Sequence, residues 1–213
     1  MCIRDRFKVD EKKITVIPNG IDIVIFKPSS IKKSLNFRIG TTASADIPLK
    51  GLRHLILALP RVIRQFPLTS LTVIGKSPEK SNLNKLIDDL DLEDKITFRS
   101  GISEKEIVKT YHDSDIAVIP SLYEGFGFGA GEAMACGVPL ISTDSGGLKQ
   151  VIGDAALKIK PGSVNEIEEG ILKLFTQEKI RQELAKKGRE RMEEFFDWKI
   201  AASAYIEVFK KII

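Results

Sequence analysis

A chain of 213 residues, 43% hydrophobic and 29% charged, has the length and composition of one medium soluble domain that buries a large core without disulfides or metal. Its two cysteines, Cys2 and Cys136, lie far apart in unlike contexts, which excludes a disulfide framework or a zinc spacing and points to a reducing, cytoplasmic compartment. The net charge of +4 is mild and the bases alternate with acids, so a mixed solvated surface and no nucleic-acid partner are expected; no apolar run approaches the ~20 residues of a membrane span.

Residues 1–6, MCIRDR, lack the apolar stretch of a signal peptide and fit nothing downstream, so they read as a cloning or assembly scar. Residues 7–35 also stand apart. Ile14–Ile17 predicts a strand, Pro18-Asn19-Gly20 a turn, and Pro28-Ser29-Ser30 a linker. One strand without a preceding helix cannot be a domain, so this piece is expected to be the remnant of a domain that came before.

Over residues 36–175 short apolar runs alternate with helical patterns. Strands are expected at Phe37–Thr42, Ser70–Ile74, Lys95–Phe98, Ile116–Ile119, Val138–Ser142 and Ala155–Ile159. Between them fall a helix carrying Leu52, Leu55, Ile56, Leu59, Ile63 and Phe66, in which Pro60 should bend or loosen a turn, and one carrying Leu83, Leu86, Ile87 and Leu90. Ser103 and Glu106 form a capping box that opens a third helix, to about His112, and Glu132–Cys136 reads as a short fourth. From Ser163 onward two or three helices follow; residues 176–213 form a helical tail, the last part of which is expected to cross to the missing domain. Strands apolar on both faces and separated by helices predict a three-layer α/β fold, a doubly wound parallel sheet of the Rossmann type.

The chemistry concentrates in Pro120–Leu140, PSLYEGFGFGAGEAMACGVPL. It begins where a buried strand ends, which is where doubly wound sheets bind ligands. Gly125, Gly127, Gly129 and Gly131 alternate through it and would let a ligand approach the backbone. The helix that follows turns its free N–H groups and dipole toward the loop, which suits phosphate. Glu124 and Glu132, eight residues apart, flank the glycines, and carboxylates accept hydrogen bonds from hydroxyl pairs. Phosphate at one end and hydroxyl acceptors at the other are what a sugar nucleotide requires.

The segment resembles the E-x7-E region of retaining GT-B glycosyltransferases, family 4, also called glycosyl transferases group 1, through Pro120-Ser121, Glu124–Gly127, Glu132–Ala135, Gly137 and Pro139. The likeness extends over Val16–Asp22, similar to the family's interdomain junction, Lys50-Gly51-Leu52, similar to its diphosphate-binding lysine segment, Ser142–Val151 with Gly146-Gly147, and Trp198 near the start of the last helix. It implies a donor-binding C-terminal domain whose parent enzyme transfers a sugar from a nucleoside diphosphate to an acceptor hydroxyl with retention. It implies that Glu124 sits near the donor sugar, that Glu132 holds the ribose hydroxyls, and that the backbone N–H groups of Phe126, Gly127 and Phe128, beside Gly125, meet the phosphate–sugar junction. Lys50 would neutralise the leaving diphosphate, with no metal or cofactor required. The acceptor, whether lipid, polysaccharide or small molecule, would be held by the missing N-terminal domain, as would any contact with a membrane surface; alone the fragment should bind donor weakly and transfer nothing. One departure is that Gly40–Asp46 carries no arginine where the family usually has one. A hydroxyl with backbone N–H groups, or a base such as Arg53 or Lys76, would have to take its part.

Two rival readings weigh against this one. Gly125–Ala130 fits G-x-G-x-x-A, with Asp144 lying 19 residues after Gly125, and so imitates an NAD-type fingerprint, but four residues separate Pro120 from the first glycine and the helix is short for a crossover. The other is a nucleotide-sugar-binding module without catalysis. Asp113-Ser114-Asp115 imitates a D-x-D metal motif but reads as a helix end and strand start. His54 and His112 read as structural, Lys186–Arg191 as a solvated helix face and Cys136 as a small buried side chain.

Overall fold

The computed structural model describes residues 10, 13–30, 35–78 and 82–211. The hexapeptide 1–6 lies outside them. Six strands form one parallel sheet: β1 (Arg38–Thr42), β2 (Ser70–Ile74), β3 (Ile96–Arg99), β4 (Ile116–Ile119), β5 (Leu140–Thr143) and β6 (Leu157–Ile159), in the order β3-β2-β1-β4-β5-β6. The helices are α1 (Leu52–Gln65), α2 (Asn82–Asp89), α3 (Glu104–Asp113), α4 (Phe128–Ala135), α5 (Leu148–Ile152), α6 (Val164–Thr176), α7 (Glu178–Phe195) and α8 (Trp198–Lys210), with a 3-10 turn at Pro48–Lys50. This is the doubly wound three-layer fold expected from the alternation of runs.

Alternation along each strand divides the core between the two faces. In β4, Ile116 and Val118 join Leu55, Leu59, Ile167 and Ile171 under α1 and α6, while Ala117 and Ile119 join Tyr111, Met134, Leu148 and Met192 under α3, α4, α5 and α7. Central strands β4 and β5 are buried throughout, whereas β3 at the edge buries only Ile96, with Thr97 exposed and Phe98 and Arg99 half-buried, so the expectation of strands apolar on both faces holds at the centre only. The capping box forms as read, with the Ser103 N–H donating to Glu106 Oε2 at 2.8 Å. Helix α1 runs on through Pro60. No helix among the described residues is long and apolar enough to cross a membrane.

Three local expectations fail. Ile14–Ile17 is not a strand: Val16 is 79% exposed and the segment joins no ladder, since an extended run becomes a strand only beside a partner. The expected turn is also absent from Pro18-Asn19-Gly20 and forms instead over residues 23–25, after the chain has entered the fold at Ile21, whose N–H donates to the Phe196 carbonyl and whose own carbonyl accepts from Trp198, with Gly20 seated against the start of α8. Nor is Lys186–Arg191 a purely solvated face. Lys186 and Lys187 pair with Glu190 and Glu183 at the surface, but Arg189 reaches the carbonyls of Ile23, Phe26 and Ala135 at 3.2, 2.9 and 2.9 Å, and Arg191 those of Val151 and Gln150 at 2.8 and 2.7 Å. A guanidinium offers five donors, enough to gather several orphan carbonyls at once.

Candidate functional site

The strand order reverses between β1 and β4, which run side by side with Ile39 opposite Ile116, and the crevice beyond their carboxyl ends is where such sheets bind ligands. Lys50 follows β1 and Glu124 follows β4. Backbone geometry brings them together. Gly51 has φ +70°, and a Cβ there would lie 2.1 Å from the Pro120 carbonyl oxygen, so glycine alone lets the two loops touch. The Leu122 N–H then donates to the Leu49 carbonyl at 2.8 Å. With the loops joined, Lys50 Nζ lies 2.5 Å from Glu124 Oε2, the two side chains 27% and 17% exposed. The next loop secures Glu124 from the other side, the Gly147 N–H donating to its carbonyl at 2.7 Å.

The short helix begins earlier than its sequence suggests. It spans Phe128–Ala135 with Gly127 as N-cap, so Phe128, Gly129 and Gly131 are helical and the loop proper narrows to Glu124–Gly127. Glycine is a poor helix former, and packing is what overrides it. A Cβ on Gly129 would lie 2.7 Å from Thr42 Cβ, and one on Gly131 would lie 2.9 Å from the Ile21 side chain, so both glycines serve close approach within a helix. Phe128 sits at the first turn, where N–H groups lack helical acceptors, and its ring stacks edge-on to Phe126 at 4.9 Å.

Glu132 lies in the second turn of this helix, and its Oε2 is 3.5 Å from the hydroxyl of Tyr111, which is fully buried. That hydroxyl is also 2.6 Å from Thr42 Oγ1 and 3.0 Å from the Gly129 carbonyl. Burial raises the Glu132 carboxyl above its ordinary value, opposed by the hydrogen bond from Tyr111. Burial, then the neighbouring Glu132 charge, pushes the Tyr111 phenol well above its usual range. No local motif marks Thr42 or Tyr111 in the sequence, although Tyr111 shares a helical stripe with Ile107 and Val108, and a buried tyrosine in such a stripe usually has a partner for its hydroxyl.

Other candidates fall where the chain's own packing needs them. Asp113 pairs with Lys109 at 2.6 Å, and Asp115 Oδ2 accepts from the Asn36 and Arg38 N–H groups at 3.0 and 2.8 Å, so the D-x-D triplet ends α3 and anchors the approach to β1. His112 Nε2 contacts the Lys27 carbonyl at 2.7 Å, His54 is half-buried on α1, and Cys136 is buried. Of the bases considered for the absent arginine, Lys76 pairs with Asp46 at 3.3 Å while its N–H donates to Ser44 Oγ at 3.0 Å. Arg53 lines a neighbouring cleft of about 270 Å³ with Ser44, Ile47 and Asn82. The glycine run follows β4, whereas a dinucleotide fingerprint belongs to the turn after the first strand, where this chain has Ala43-Ser44-Ala45.

Comparison with known proteins agrees with the fold. The family model "Glycosyl transferases group 1" matches residues 28–191. An MMP alpha-(1->4)-mannosyltransferase of Mycolicibacterium hassiacum is 33% identical over 210 residues, covering 97% of this chain and 50% of that protein. The crystal structure of the C-terminal domain of LpcC, a glycosyl transferase group 1 family protein of Francisella tularensis, superposes with a TM-score of 0.72 at 26% identity, covering 84% of this chain and 99% of that one. HepE of Anabaena, solved with UDP and glucose, has the same fold, with a TM-score of 0.84 at 22% identity over 97% of this chain and 59% of that one. The chain spans about half the length of the curated relatives it matches, such as the mannosyltransferase at 50%. With a GT-B-type donor fold, the E-x7-E motif in place and the family model matched over most of its length, the chain belongs to the glycosyl transferases group 1 family.

Proposed function

We propose that this chain is the donor-binding half of a glycosyltransferase, which holds a nucleoside diphosphate sugar at the carboxyl edge of the sheet while the sugar passes to an acceptor hydroxyl. The observation that carries the reading is the Lys50–Glu124 pair, 2.5 Å apart at the point where the strand order reverses. Cleaving the sugar–phosphate bond leaves negative charge on the departing nucleotide. A fixed ammonium there, with the first N–H groups of α4, stabilises that charge more in the transition state than in the ground state. The reading gives this work to Lys50 and the helix N-terminus and asks nothing of a metal or cofactor. Glu124 positions the donor sugar, Gly125–Phe128 lie along the phosphates, and Glu132 accepts from the ribose hydroxyls. The UDP and glucose seen in HepE, and the mannosyl transfer in the name of the Mycolicibacterium relative, support a nucleotide-linked hexose as donor. Acceptor recognition falls to a partner half, so this chain alone binds donor weakly and transfers nothing.

A thermal-shift titration with millimolar UDP, GDP, ADP and NAD tests the reading. Saturation at 100 times the dissociation constant adds about 2.7 kcal/mol of stability. One nucleoside diphosphate should stabilise selectively and so name the donor base, whereas a shift with NAD alone would overturn the proposal. Lys50→Ala should weaken that nucleotide about tenfold, the scale of one charge-assisted contact. Glu132→Ala should cost more nucleotide affinity than Glu124→Ala, and equal losses would sink the ribose assignment.

A further inference from the structure

We propose that Tyr111 is a positioning residue of the donor site: its buried hydroxyl, backed by Thr42 at the end of β1, aims the Glu132 carboxylate at the hydroxyl edge of the bound nucleotide. The inference rests on the assignment of Glu132 to the ribose. It follows from proton counting. Thr42 Oγ1 and Tyr111 Oη are 2.6 Å apart and each carries one proton. When Thr42 donates to the phenol, the phenol proton is directed toward α4, where the Gly129 carbonyl at 3.0 Å is the nearer acceptor and Glu132 Oε2 at 3.5 Å the more distant one. An ionised carboxylate is the stronger acceptor of the two. Tyr111 therefore draws Glu132 to one place in its charged form, which is the form that can take a hydrogen bond from each hydroxyl of a diol.

The surroundings of Glu132 leave this task to the phenol. Burial raises its carboxyl, the Tyr111 hydrogen bond lowers it, and the Glu104 charge at the start of α3 raises it again. The Cys136 thiol acts on the phenol from the end of α4. Strands β4 and β5 carry no titratable side chain, α5 carries only the exposed Lys149, and on α7 Arg189 is bound to the Ala135 carbonyl at the far end of α4.

The test compares a ribonucleoside diphosphate with its 2′-deoxy counterpart, using UDP, GDP and ADP in parallel, on the full 213-residue chain from about pH 5 to about pH 8. The parent chain should prefer the ribo form, and Glu132→Ala should abolish that preference. Tyr111→Phe should weaken the ribo form about two- to tenfold, the worth of one hydrogen bond, weaken the 2′-deoxy form less because only its 3′-hydroxyl still meets Glu132, and move the acid limb of binding to higher pH. Thr42→Val, which keeps the phenol, should do the same to a smaller degree and serves where Tyr111→Phe folds poorly. If Glu132→Ala retains the ribo preference, the ribose assignment fails. If Glu132→Ala loses it while Tyr111→Phe and Thr42→Val keep the parental preference and pH limb, the role of Tyr111 is overturned and the assignment stands.

Discussion

Glu124 and Glu132 lie eight residues apart in one segment, yet different contacts hold them. Glu124 sits on a loop located by main-chain bonds, Leu122 to Leu49 and Gly147 to Glu124 itself, and its carboxylate meets the Lys50 ammonium. Glu132 sits on a helix located by side chains: Thr42 and Tyr111 near its first turns and Arg189 at the carbonyl of its last residue, Ala135. No lysine or arginine pairs with Glu132 among the described residues. The first arrangement suits a site where charge changes during reaction, because the ion pair can re-form around a phosphate. The second suits recognition of neutral hydroxyls, because a desolvated acceptor held in one place discriminates by hydrogen bonding.

The main-chain arm should show the largest effect. Gly51→Ala places a Cβ against the Pro120 carbonyl at a left-handed φ, and either loop must move. It should destabilise the fold by about 3 kcal/mol and separate Lys50 from Glu124, seen as a lower urea midpoint and loss of nucleotide binding. A midpoint within error of the parent would show that the loops join by other means.

The side-chain arm should yield less. Arg189→Ala leaves three carbonyls without their guanidinium, at a cost of about 2 kcal/mol by chemical denaturation. It should loosen α4 and reduce discrimination between ribo and 2′-deoxy nucleotides while leaving the Lys50 contribution in place. Loss of both in equal measure would mean that the two arms are one unit.

The smallest effect concerns Glu132 itself and has a definite sign. Burial raises its folded pKa above the ordinary 4.5, so its contribution to stability is fullest below that value and is lost as pH rises through the raised one. At neutral pH the buried charge is a net burden. Glu132→Gln should therefore raise the thermal midpoint slightly near pH 7, by less than about 1 kcal/mol, and the gain should vanish near pH 4. An equal or lower midpoint at pH 7 would place the carboxylate in better hydration than its burial indicates.

Local sequence determined a large share of this protein. Short apolar runs placed β2 and β4 residue for residue, the Ser103–Glu106 spacing opened α3, and the run from Glu124 to Glu132 marked the candidate site, because strand patterning, capping chemistry and turn residues act within a few positions of the chain. The tertiary structure decided the rest. Gly129 and Gly131 are helical because Thr42 and Ile21 pack against them, Arg189 and Arg191 turn inward because distant carbonyls need donors, and Ile14–Ile17 stays out of the sheet for want of a partner strand. The Thr42–Tyr111–Glu132 chain joins three elements that are separated by 69 and 21 residues in sequence. Propensity and periodicity weigh near neighbours only, so contacts over such separations, and the chemistry they tune, exist only once the sheet has brought β1 beside β4.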